Sequence, residues 1–83
     1  MSEPTRTTVL AIQRAVACAS PRAWRDLIVT AADRGEATLA DWDGVTVRVL
    51  TDASLVPGEP VAFHPVADVL ATGERWFSAR PAA

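Results

Sequence analysis

Eighty-three residues, 49% of them hydrophobic and 22% charged, describe one folded domain rather than a disordered chain. The net charge of −2 and pI near 5.1 lack the basic footprint of an autonomous nucleic-acid binder. A single cysteine, Cys18, and a single histidine, His64, exclude an internal disulfide and leave too few soft ligands for a conventional structural zinc site within one chain.

No apolar run approaches a membrane span and no basic-then-apolar leader opens the chain, so the expectation is a soluble, cytoplasmic protein. All eight basic residues are Arg and alanine is abundant, a composition typical of a GC-rich bacterium or a phage that infects one. Up to Gly35 five Arg face three acids, about +2; beyond it three Arg face seven acids, about −4.

Residues 1–6 are polar, include Pro4 and are expected to fray. From Thr8 the spacing of Val9, Ile12, Val16 and Ala19 predicts an amphipathic helix with Thr8 as N-cap and Gln13 and Arg14 on its wet side. The β-branched opening leaves a short strand over 7–12 as the alternative. Cys18 falls beside the apolar stripe and reads as a small core residue.

Ser20-Pro21 predicts a second helix start, and Gly35 stands where a left-handed C-cap is wanted. Between them Trp24, Leu27, Ile28 and Ala31 form a stripe at helical spacing, with Arg22, Arg25, Asp26, Asp33 and Arg34 opposite. Asp43-Gly44 then predicts a hairpin over 36–50 with a two-residue loop. In that register Thr38, Ala40, Trp42, Val45, Val47 and Val49 share the face that the helices cover.

Pro57-Gly58 carries the signature of a type II turn, within a connection that Leu55 and Val56 tie down. Pro60 to His64 alternates as a strand with Val61 and Phe63 on one side. Residues 65–71 read as a short helix, or else 67–71 and 75–79 form a second hairpin around Gly73. Arg75 to Arg80 is a strand in either version. Its Trp76 and Phe77 point to opposite sides, so one of them is a candidate contact surface. Arg75, Trp76, Phe77 and Arg80 are accordingly the candidate partner-binding residues.

No catalytic constellation emerges, because nothing links Ser54, Ser78 or Cys18 to His64 as base, and Asp41 and Asp43 sit at a hairpin tip. No glycine-rich phosphate cradle is present either.

The run from Trp24 to Leu50, WRDLIVTAADRGEATLADWDGVTVRVL, resembles the centre of the Phd/YefM class of antitoxins. There an amphipathic helix ends in Gly-Glu and leads into a strand, a turn and a second strand. Leu27, Ala31, Gly35, Glu36, Gly44, Val47 and Leu50 stand where that pattern wants them. The resemblance implies a dimer that reads operator DNA and a following tail that neutralises a toxin. The N-terminus lacks the family's strand and acidic-Ala-Arg helix start, and the last third is turn- and strand-rich, so no DNA-contacting residue carries over.

Together these features predict an α+β domain, 1–83, with two N-terminal helices packed on an antiparallel sheet of three to four strands built around the 36–50 hairpin. The expected function is a non-enzymatic binding or regulatory module acting through protein contact as a homodimer, by sheet-edge pairing or through the Trp76 region. It needs no cofactor or metal and has no membrane role. The alternatives are the antitoxin-like DNA binder and a structural subunit of a phage or bacterial assembly.

Overall fold

The computed structural model describes residues 9–73 and 75–82. One α-helix, α1 (Ala11–Ala19), is followed by a 3-10 turn (Pro21–Ala23) and six strands: β1 (Arg25–Asp33), β2 (Glu36–Ala40), β3 (Thr46–Thr51), β4 (Pro60–His64), β5 (Val69–Thr72) and β6 (Arg75–Pro81). The strands close into a barrel in the order β1-β2-β3-β6-β5-β4, with every neighbouring pair antiparallel. Two consecutive three-stranded meanders thus face each other and join along β1/β4 and β3/β6. No helix among the described residues is long and apolar enough to cross a membrane.

This corrects the expected architecture of two helices on a three- to four-stranded sheet. The segment read as the second helix is β1, preceded by one 3-10 turn at Ser20-Pro21. Ile28, Val29 and Thr30 are consecutive β-branched residues, which favour a pleated backbone. Leu27 and Val29 point into the barrel, while Ala31 is exposed beyond a bulge between Val29 and Ala31. The helical spacing of Trp24, Leu27, Ile28 and Ala31 is therefore a coincidence of one inward residue, Leu27, with three that lie outside the barrel core. Gly35 does take positive φ, 70°, but to turn β1 into β2 rather than to end a helix. The helix premise of the antitoxin resemblance falls with the same segment.

The 36–50 hairpin forms, in a different register. Its loop has three residues: Asp41 N–H donates to Val45 C=O, Gly44 N–H donates back to Asp41 C=O, and Gly44 sits at φ 83°. Asp43 has no positive φ, so the mirror-image turn expected of Asp43-Gly44 is not used. One extra loop residue moves the pairing to Leu39↔Val47 and Ala37↔Val49. On β2 that swaps the inward face: Ala37 and Leu39 are buried, and Trp42 and Val45 are turned out at 86% and 63% exposure.

The strand β4 and the turn at Pro57-Gly58 match expectation, with Gly58 at φ 95° and Glu59 N–H bonded to Val56 C=O. Residues 65–68 form a turn, with Asp68 at φ 56°, not the short helix, so the hairpin alternative over β5 and β6 is the one that forms. The expectation for residues 1–6 lies outside the described residues.

Leu27, Val29, Ala37, Leu39, Val49, Val61, Phe63, Leu70 and Ala79 fill the barrel. Ala53 and Leu55, from the β3–β4 connection, pack against this core. A second, outer cluster joins Ala17, Ala67 and Val69 to Val9, Val16, Trp24 and Trp76, so α1 covers the outside of β5 and β6. Strand β5 is consequently buried on both faces, Leu70 inward and Val69 outward.

The helix is seated by Gln13, which was expected to face water. Its Nε2 lies 3.2, 3.1 and 3.2 Å from Ala67 O, Asp68 O and Ser78 Oγ, while its Oε1 accepts the Leu10 N–H at 2.9 Å. Ile12 and Cys18, expected in the core, are exposed instead.

Candidate functional site

The barrel has two ends, and they differ. At one end the β3–β4 connection, residues 52–59, folds inward through Ala53 and Leu55. At the other end meet the start of β1, the loop Asp41–Val45, the turn 65–68 and the end of β6, because each strand pairs antiparallel with its neighbours. A cleft of about 160 Å³ opens there, walled by Leu27, Val47 and Phe63 and rimmed by Val45, Pro65 and Pro81.

The loop at this end is capped by one side chain in addition to its two backbone hydrogen bonds. Asp41 Oδ1 accepts the N–H groups of Asp43 and Val45, both at 2.9 Å, and its Oδ2 lies 3.8 Å from Arg25 Nη2. An aspartate that satisfies loop amides in this way fixes the backbone that carries Trp42. Trp42 therefore projects from an ordered support. On its far side it borders a second, shallower groove of about 440 Å³ across the outside of β1, β4 and β5, beside Asp26, Ile28, Pro60 and Ala62.

His64 is fully buried and makes two hydrogen bonds. Ala67 N–H donates to Nδ1 at 3.1 Å, so the ring proton sits on Nε2, which donates to Ser20 C=O at 2.8 Å. The edge-to-face contact with Trp24, 5.1 Å between centroids, locks the ring further. Both nitrogens are occupied in joining the end of α1 to the β4–β5 turn, which leaves no free lone pair for a substrate. Ser78 Oγ is engaged by Gln13, and Cys18 lies exposed on α1. Among the described residues no three His, Cys, Asp or Glu side chains are grouped to hold a metal ion.

The four residues singled out in the sequence do not form one surface. Arg75 stacks over Phe77, 5.3 Å from the ring centroid. Trp76 faces the other way, under the Arg14 guanidinium at 4.7 Å and against Trp24 at 5.2 Å. Both aromatic rings are half-buried. Arg80 is exposed and borders a different groove, shared with Leu10 and Leu50. Trp42 and Val45 escaped notice because the two-residue loop placed them in the core. The signal that would have exposed them is Asp41, three residues before Gly44, the placing of Asp and Gly that a one-turn loop prefers.

The fold and this end of it define a small closed barrel with a helix on its flank and a rigid aromatic loop at an open mouth. No protein-family model matches the chain, and no curated protein or solved structure matches it.

Proposed function

We propose that this protein is a non-enzymatic module that works by protein contact, and that its contact surface is the barrel end carrying Asp41–Val45. The observation that carries the reading is Trp42, 86% exposed on a loop that Asp41 holds in one conformation. A large apolar side chain presented rigidly loses little conformational entropy on binding, which is the profile of an interface anchor. Val45, Pro65 and Pro81 continue the apolar surface into the adjoining cleft.

Closure of the barrel argues for side-chain recognition. A closed sheet offers no long unpaired edge, so the sheet-edge pairing anticipated from the sequence has little backbone to use. The double engagement of His64 supports a role in stability and not in catalysis. An exposed, unpaired Cys18 is consistent with a reducing, cytoplasmic setting.

Site-specific photocrosslinking in the source cell tests the reading. A photoreactive residue at position 42 is expected to give a discrete crosslinked protein, or a crosslinked dimer of this chain. The same residue in place of Val56, also well exposed, at 64%, but at the opposite end, is expected to give none. Equal products at both positions, or none at 42, would overturn it.

A further inference from the structure

We infer that the groove beside Trp42 receives a basic segment of the partner, with an arginine or lysine side chain lying over the indole; this rests on the reading of the Trp42 end as the contact surface. The argument begins with what surrounds the ring. Asp43 follows it on the loop, and Asp26 lines the same groove from β1. Both are exposed, and neither makes an ion pair among the described residues. The nearest arginine in sequence, Arg25, is drawn towards Asp41, whose carboxylate already serves the loop amides. Trp42 is thus an exposed indole that borders a groove lined by one carboxylate, Asp26, and is followed on its loop by another, Asp43, neither with an ion-pair partner among the described residues.

The negative face of an indole attracts cations, and adjacent carboxylates strengthen that preference and repel phosphate. A nucleic acid or an anionic lipid surface is disfavoured by the same charges. The groove has room for a chain: its floor is the outside of β1, β4 and β5, built from Ile28, Ala62 and Ala71, and α1 covers only the β5–β6 side. The alanines of that floor, Ala62 and Ala71, allow an extended backbone to lie close while its cation reaches the ring. Charge complementarity therefore selects a positively charged, extended peptide over a second acidic surface.

The test is a titration of the isotopically labelled full chain, followed by NMR, with a blocked peptide of alternating glycine and arginine. A matching peptide with glutamate in place of arginine and a short DNA duplex are the comparisons. The expected result is saturable movement of the Trp42 indole N–H and the Asp26 amide with the arginine peptide alone, weakened about tenfold by Trp42→Ala and by several-fold in Asp26→Asn. Trp42 and Asp26 are exposed, so both variants fold. Absence of saturable change at about 5 mM peptide, an equal response to the glutamate peptide, a response to DNA, or Trp42 signals that instead depend on protein concentration through self-association, would each overturn the inference. A crosslink at position 42 with no response to the arginine peptide would remove this inference and leave the contact surface standing.

Discussion

Replacing Leu39 with Ala tests the register on which the exposed tryptophan depends. In the observed pairing Leu39 lies between Val29 of β1 and Val47 of β3 and is fully buried. Its removal forfeits about 2 kcal/mol of transfer free energy, at roughly 0.8 kcal/mol per methylene. The strand is hydrogen-bonded on both sides, so the barrel cannot collapse onto the vacancy, and the cavity raises the loss to about 3 kcal/mol. A chain of this length has a total stability of about 4 to 12 kcal/mol, so the loss is a large share of it. Trp42→Ala deletes a much larger side chain and yet should change stability by no more than about 0.5 kcal/mol, because the ring buries almost nothing. In urea, with a slope of about 1 kcal/mol per molar, the midpoint of Leu39→Ala should fall by about 3 M and that of Trp42→Ala by less than about 0.5 M. Circular dichroism at two protein concentrations reads both and separates any contribution from self-association. A larger loss for Trp42→Ala than for Leu39→Ala would restore the two-residue loop and refute the observed register.

Gln13→Leu leaves Ala67 O and Asp68 O without their helix donor and should cost about 1 to 3 kcal/mol, with hydrogen exchange accelerated in α1 and little changed in β2 and β3. His64→Ala removes both hydrogen bonds and the ring against Trp24; a loss of about 3 kcal/mol should appear in calorimetry as a fall of at least about 12 °C in Tm. Asp41→Ala should cost only about 1 kcal/mol but lower the backbone order parameters of residues 42–45, since two loop amides lose their acceptor. Unchanged order parameters would mean that the loop is held by its backbone alone.

Much of the strand content was legible because it depends on neighbours in sequence. The alternation of Val61 and Phe63 along β4, and the positive φ demanded at Gly35, Gly44, Gly58 and Gly73, are local requirements that any correct fold must meet. The first strand was not legible, since Trp24, Leu27, Ile28 and Ala31 satisfy a helical period as well as Leu27 and Val29 satisfy a strand period. Tertiary pairing with both β2 and β4 decides between them. Gln13 shows the same limit from the other side. Its amide finds two carbonyls and a hydroxyl more than fifty residues away, and a polar residue on a helix gives no sign of such partners.

The candidate site was hidden for a related reason. Asp43-Gly44 correctly marked a reversal of the chain, but whether two or three residues turn decides which side chains of β2 face the core. The loop that forms has three residues, and Asp41 caps it by accepting the amides of Asp43 and Val45. The register that goes with this three-residue loop also turns Trp42 outside, so the pairing of β2 with β3 and the exposure of that ring come together. Closure of the sheet makes that coupling matter: with its strands paired on both sides, the barrel offers a partner mainly side chains at its ends and on its uncovered outer face. One end is filled by Ala53 and Leu55, and α1 lies over the outside of β5 and β6. The Trp42 loop stands where the open end meets the uncovered face of β1 and β4, and a partner that used either surface would meet it first.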